Sequence, residues 1–512
     1  MSEAHARNGS PIQHDKILFW GCFMSLVATA FTFVVRGMVI KDWAVEFGLT
    51  NTQQGEILGV GLWPFALSIV LFSLVIDKIG YGRAMVFAFV CHVSSTILII
   101  FANGYWMLYI ATFIVALGNG TVEAVINPVV ATMFSREKTK WLNILHAGWP
   151  GGLVLGGILA ISLGAESSWK LKVALLLLPA IIYGIMLVGR KFPVHERVAA
   201  GISYKDMLKE AGALGALIII FLMTWEVGRV FEFPLALKIG IVAVLTIAYG
   251  LYVQSLGRPL FIFLLLIMIP LATTELGTDS WITPLMESEM TAMGLQAAWV
   301  LVYTSFIMML LRFSAGPIVH KLSPLGLLAT CSVIAAIGLV SLSMATGVTI
   351  LLAATIYGVG KTFFWPTMLG VVAERFPKGG ALTINIIAGV GTLSVGIVGT
   401  VFLGSIQDQY INRHLTTHDA AQGTQLASTY VTQEKVGIFG KYTAVDPQKV
   451  AAAPAEEQTV LNQIISSASK NALQVVAIFP VIMFVCYLIL IVYFKSRGGY
   501  TAVHLEQEST SG

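Results

Sequence analysis

The chain has 512 residues, 56% of them apolar and 11% charged, with a mean hydropathy of +0.82. Soluble globular chains carry about 25% charged residues, so this composition belongs to a polytopic membrane protein. A net charge of +4, with no basic block interleaved with aromatics, excludes a nucleic-acid binder. Cys22, Cys91, Cys331 and Cys486 each stand alone in apolar runs and read as inert core thiols, since paired metal or redox spacing is missing.

The polar start, MSEAHARNGSPIQHDK, leads without a small-residue cleavage pattern into an apolar run long enough to span, which reads as a retained first helix. Runs of about 18 or more apolar residues predict spans at 17–40, 55–76, 84–102, 106–133, 143–164 and 171–189, a six-helix bundle within residues 1–190. Residues 191–258 hold a charged loop, KFPVHERVAAGISYKDMLKE, and two further apolar runs at 211–225 and 235–253, the first short enough to be re-entrant. Residues 259–404 predict spans at 259–284, 294–314, 325–345, 349–372 and 381–404. The polar connection at 405–471 reads as a flexible loop with one short helix before Asn471, either a tolerated insertion or a lid. A last span follows at 472–494, then a tail at 495–512. The expectation is an all-α bundle of six plus six helices with an extra two-helix hairpin between them, fourteen spans in all, with twelve as the fallback.

Placing the N-terminus inside puts Lys78, Arg83, Arg136, Lys138, Lys140, Arg190, Lys191, Arg197, Lys205, Lys209, Arg375, Lys378, Lys495 and Arg497 all in cytoplasmic segments. The extra run must then cross an even number of times, and both termini lie in the cytoplasm of a bacterial inner or plasma membrane. The 405–471 connection lies outside.

The halves echo each other. Span two ends in VIDKIGYGRAM and span eight in GPIVHKLSPLG; span four carries GNGTVEAVINP and span ten GVGKTFFWP; span five opens LNILHAG and span eleven LTINIIAGVG. Parallel six-helix repeats are how many secondary transporters build a midplane site between two rocking halves.

Asp77, Lys78, Gly80, Gly82 and Arg83 in DKIGYGRAM resemble the signature loop of the major facilitator superfamily, and the resemblance extends over the chain apart from the extra hairpin. It implies a gating loop whose ion pairs hold the outward-open state. Within the superfamily, Glu123, Ala124, Asn127 and Pro128 resemble the Glu-x-x-x-Asn-Pro element of the fucose and glucose-galactose permease branch. Asn143 and His146, and Trp365, Pro366 and Thr367 followed by Gly379 and Gly380, are similar to its fifth and tenth helices. Where that branch has an acid in the first helix, this chain has FVVRGMVI with Arg36, and span ten places Lys361 at midspan.

A midspan carboxylate is costly unless neutral, paired or facing a water-filled cavity. Burial disfavours its charged form, which suits loading and releasing a proton, and the resemblance implies that proton-coupling role for Glu123. Asn127, four residues on, shares its helix face and is positioned to bond a solute hydroxyl, or else to glue helices together. Lys361 occupies nearly the repeat-related position, so the expectation is a Glu123–Lys361 pair in the empty site, broken by solute or proton. Arg36 reads as a bidentate clamp for a carboxylate or phosphate, or as an interfacial arginine or the partner of an acid. Glu275 and Asp279, four apart, read as an outer vestibule or as Arg36's partners. His146, Trp149 and Trp365 offer hydrogen bonds and ring faces for a sugar, and Asn143 and Asn385 join the candidate substrate-binding set. The glycine-rich faces of spans five and eleven read as close helix packing.

The function expected is a secondary active transporter that takes up a small polar solute, sugar or sugar-acid sized, by proton symport. The alternative is a carrier or exchanger of organic or phosphorylated anions using Arg36 and Lys361; few fixed charges would be wanted in a drug exporter. No Gly-x-Ser-x-Gly, His-Glu-x-x-His or Gly-x-x-x-x-Gly-Lys-Thr occurs, which argues against an enzyme, a metal site or direct ATP drive. The expected partners are a small-molecule solute and the lipid bilayer, with no cofactor beyond the proton gradient and a monomer as working unit.

Overall fold

The computed structural model describes residues 15–49, 51–164, 167–437 and 440–505. The polar N-terminal stretch and the end of the tail lie outside the described residues. Twelve described helices are long and apolar enough to cross a membrane, and thirteen if Ala298–Phe313 and Ala315–Leu322, which meet at 71°, count as one span. The predicted tenth span is present as two shorter helices, Thr349–Lys361 and Phe364–Arg375. All fourteen predicted segments are therefore helical, the tenth broken at Thr362.

Local chemistry sets the ends of the first span, Lys16–Phe47: the Asp15 carboxylate accepts from the N–H groups of Ile17 and Leu18, and Gly48 closes the helix with φ 61°. The third span, Tyr81–Ile100, packs along the fourth, Tyr105–Met133, as the ninth, Pro324–Met344, packs along the tenth. The glycine faces do pack closely. A Cβ on Gly152 of span five would sit 2.6 Å from Ala30 Cβ of span one, and one on Gly391 of span eleven 2.6 Å from the Trp365 ring.

Two expectations change. The first hairpin segment, Tyr204–Val230, breaks at Gly212 (φ 61°), and the helical stretch beyond the break is long and apolar enough to cross, which favours a span over the re-entrant alternative. It packs against spans two, seven and eleven, at the seam between the halves, while Leu235–Val253 leans on it and exposes Ile239, Val244, Ile247 and Leu251 outward. The described residues of the 405–471 connection are mostly helix and paired strand instead of a flexible loop, and a helix does precede Asn471. Helix Val401–Gln422 continues span eleven, Ala455–Val476 leads into span twelve, and strands Gln433–Gly437 and Gly440–Ala444 pair antiparallel between them. Ile411, Leu415, Leu426, Tyr430 and Leu461 form its small core, and Asp408 accepts from Lys435 Nζ (2.9 Å) and the Tyr442 hydroxyl (3.1 Å). This projecting unit is the sole departure from an all-α chain among the described residues.

Polar contacts join the halves at the end carrying the basic loops. Lys138 Nζ donates to Glu196 (2.9 Å) and to the Ala373 carbonyl (3.2 Å), and Thr139 donates its hydroxyl to Glu374 (2.6 Å). Glu137 faces His320 at 3.2 Å; hydrogen bonds from Lys140 hold its carboxyl below the usual range. In the signature loop, Asp77 pairs with Arg197 of the 191–202 linker, whose side chain lies against Gly380 of the second half. Lys78 sits 5.6 Å over the Tyr204 ring, and Arg83 is exposed. Gly80 turns the chain at φ 87° between spans two and three, and a Cβ on Gly82 would touch Phe192.

Candidate functional site

Between the halves lies a cavity of about 900 Å³, counting open solvent at its mouth. The first half contributes Thr29, Thr32, Arg36, Asn119, Glu123, His146 and Trp149; the second contributes Glu275, Asp279, Arg312 and Trp365. Phe33 and Phe65 add ring faces. Small-molecule sites have this mixture of apolar wall with few polar groups.

Irregular helix geometry puts the polar groups there. Proline has no N–H and frees the carbonyl four residues before it. Pro128, Pro150 and Pro366 free those of Ala124, His146 and Thr362, and each finds a side-chain donor. Asn385 Nδ2 donates to Ala124 O at 3.0 Å. Arg312 donates Nη1 to His146 O at 2.8 Å and Nε to Thr362 O at 2.6 Å, while Nη2 pairs with Glu275 Oε1 at 2.7 Å. Glu275 sits in a π-helical turn, Thr273–Gly277, and its other oxygen accepts from the Trp365 N–H at 3.0 Å. Both charged residues are 1% exposed, and the pair survives burial because all three guanidinium nitrogens and both carboxylate oxygens have a hydrogen-bond partner.

Asp279 pairs with Lys361, which is fully enclosed, lies 5.1 Å over the Tyr357 ring and does not line the cavity. The expected Glu123–Lys361 pair is thus absent. So is the pairing of Glu275 or Asp279 with Arg36: each acid already has a nearer cation on the second half.

Glu123 instead accepts on Oε2 from Asn127 Nδ2 at 2.6 Å, and Asn127 Oδ1 accepts from His146 Nε2 at 2.8 Å. Asn127 also donates to the Glu123 carbonyl (3.1 Å), which fixes its amide orientation. The second Glu123 oxygen has no hydrogen-bond partner among the described residues and is left to the cavity. Asn127 itself, Asn143 and Asn385 do not line the cavity. Asn143 Nδ2 bonds Thr367 Oγ1 of span ten (3.1 Å), as Asn385 of span eleven bonds span four. The repeat thus places two asparagines as crosswise struts between the halves, a different use from the solute contact expected of them.

Arg36 is 7% exposed and lines the cavity, so it does not reach the interface. Among the described residues it has no ion pair or hydrogen bond, and its Nε is buried without a partner. Room for its guanidinium comes from Gly61, where a Cβ would overlap it. Three acids and three bases therefore meet at the centre; two pairs form, and Glu123 and Arg36 are left over. Arg312 escaped the sequence reading because it closes an apolar run, MMLLRF, where an arginine looks interfacial. Asn119 escaped it too, although it sits four residues before Glu123 on the same face.

A bundle of two repeated halves around a polar central cavity is the architecture on which many secondary transporters are built. The chain belongs to the Major Facilitator Superfamily, whose family model matches residues 20–401. Curated relatives include the "Probable 4-methylmuconolactone transporter" of Cupriavidus pinatubonensis, 26% identical over 34% of this chain and 41% of that protein, and the "Gentisate transporter" of Corynebacterium glutamicum, 21% identical over 34% and 40%. The match thus spans about two fifths of the length of these relatives. Among solved structures, the fold is similar to the E. coli fucose:proton symporter FucP (15% identity, TM-score 0.53, 90% of this chain and 98% of that one) and to the human organic anion transporter MFSD10 (12%, TM-score 0.57, 92% and 98%).

Proposed function

We propose that this transporter carries a small organic carboxylate together with a proton, the carboxylate on Arg36 and the proton on Glu123. The observation that carries the reading is Arg36: a buried, cavity-facing guanidinium with no acidic partner among the described residues. Such a cation is costly alone in a membrane and is stabilised when an anion supplies the missing charge and acceptors. The anion alternative read from the sequence thereby moves ahead of the neutral sugar, with Arg36 kept and Lys361 dropped from the binding set. Phe33, Phe65, Trp149 and Trp365 suit a planar or aromatic body. Gentisate and cis,cis-muconate, which name two of the relatives, are both carboxylates.

The test is counterflow in proteoliposomes, with labelled 2,5-dihydroxybenzoate, cis,cis-muconate and L-fucose offered in turn. Uptake of an acid is expected, lowered about 10- to 100-fold in affinity by Arg36→Gln and less by Arg36→Lys, which keeps charge and loses the fork. Fucose uptake that is indifferent to Arg36→Gln would overturn the carboxylate reading and restore the sugar, whose C–H face the two tryptophans also suit.

Gly61 gives a milder check. A methyl group there must push the flexible end of Arg36 aside without touching the backbone. Gly61→Ala is expected to raise the KM for the acid about tenfold with a near-normal unfolding temperature, measured on the same preparation.

A further inference from the structure

Behind the cavity wall of the first half runs a chain of hydrogen bonds that the charges above do not use. The Tyr183 hydroxyl lies 3.0 Å from His92 Nδ1, His92 Nε2 lies 2.9 Å from Asn119 Oδ1, and Asn119 Nδ2 lies 2.9 Å from Thr32 Oγ1. Thr32 Oγ1 lies 2.7 Å from the Thr29 carbonyl. All four side chains are at least 95% buried. The carbonyl can only accept, so the Thr32 hydroxyl proton is committed to it and Thr32 must accept from Asn119. The amide nitrogen of Asn119 therefore faces Thr32 and its oxygen faces His92. His92 then carries its proton on Nε2, and Nδ1 accepts from Tyr183. One main-chain carbonyl thus sets the polarity of the whole chain.

The consequence reaches the cavity. With its oxygen turned inward to His92, Asn119 retains a second amide hydrogen for which no acceptor exists among the described residues. Thr32, its neighbour, stands one helical turn before Arg36 on the same face, and Thr32, Arg36 and Asn119 all line the cavity.

Building on the carboxylate reading, we propose that Asn119 is the second donor of a carboxylate subsite shared with Arg36, held donor-side-out between Thr32, which accepts from its amide, and the Tyr183–His92 chain, which donates to its oxygen. A flipped amide would present its oxygen and repel the anion. Asn119 would therefore touch the solute, while His92 and Tyr183 act through it as positioning residues.

The experiment is calorimetric titration of the purified full-length protein with 2,5-dihydroxybenzoate and with its neutral methyl ester. Asn119→Ala is expected to weaken the acid about tenfold, a hydrogen bond to a charged group, and to leave the ester unchanged. Asn119→Asp, which places a carboxylate against the anion, is expected to remove acid binding within the titration range. His92→Gln keeps an N–H toward Asn119 and is expected within about threefold of the parent, whereas His92→Leu should match Asn119→Ala. The acid-to-ester ratio within one variant is the readout, because a loss of stability lowers both. An unchanged ratio in both Asn119 variants, alongside loss in Arg36→Gln, overturns the subsite and spares the carboxylate reading. An unchanged ratio in His92→Leu alone overturns the positioning chain. A parent protein that binds none of the acids tried overturns both.

Discussion

Arg312→Met is expected to lower the stability of the folded transporter by about 3–5 kcal/mol, the cost of leaving a buried carboxylate unpaired. Glu275 would be that carboxylate, 1% exposed and otherwise bonded only to the Trp365 N–H. The loss also reopens two carbonyls, those of His146 and Thr362, which Pro150 and Pro366 cannot let their own helices satisfy. The effect is therefore expected toward the top of that range. Glu275→Leu on its own should do similar harm, leaving the guanidinium unpaired, while the double variant should recover more than half of the loss, since an apolar pair can replace an ionic one. Unfolding temperatures of the four proteins in detergent provide the cycle. A single Arg312→Met variant as stable as the parent would sink the idea that this guanidinium ties the broken helices together. Transport should be lost in the double variant even where stability returns, because Arg312 also reaches across from the second half to His146.

The prolines explain how much of this centre was legible. Spans appear in hydropathy because the bilayer demands long apolar helices, and fourteen helical segments lie where the apolar runs placed them. The projecting unit at 401–476 was missed for the converse reason: VFLGSIQDQYINRHLTTHDAAQ is polar, and a helix in water needs no apolar run. The charged pairs were missed because periodicity gives the face of a residue and not its partner. Glu123 and Lys361 are repeat-related, yet Lys361 reaches Asp279 on its own half. What the sequence did hold, unread, was the spacing of each Pro to the carbonyl four residues before it. In AVINP, HAGWP and KTFFWP, that spacing points to the three carbonyls where side chains now dock.

Glu123→Gln should abolish proton-driven accumulation of the acid while leaving exchange of labelled for unlabelled acid, and the reason lies in the charges that remain once Glu275–Arg312 and Asp279–Lys361 are paired. Under the proposed symport, the parent's empty cavity would hold an ionised Glu123 beside Arg36, and the two would sum to zero. The fully loaded cavity holds a protonated Glu123 and a carboxylate on Arg36, which also sum to zero. A cavity with the anion alone carries a negative charge, and one with the proton alone a positive charge; closing either in a low-dielectric bundle is costly. Under the proposed symport only the empty and the doubly loaded forms would cross readily, and that restriction would be the coupling. Glutamine is neutral throughout, so the variant crosses when the acid sits on Arg36 and stalls when the site is empty and Arg36 stands alone. Exchange never visits the empty crossing and survives; net uptake requires it and fails. The accumulation ratio for 2,5-dihydroxybenzoate under an imposed pH gradient should stay well below 1 in the variant, because net entry into empty vesicles stalls, while labelled acid still exchanges into preloaded ones. Accumulation at the parent's level would place the proton on another group and leave Glu123 as a hydrogen-bond acceptor for Asn127.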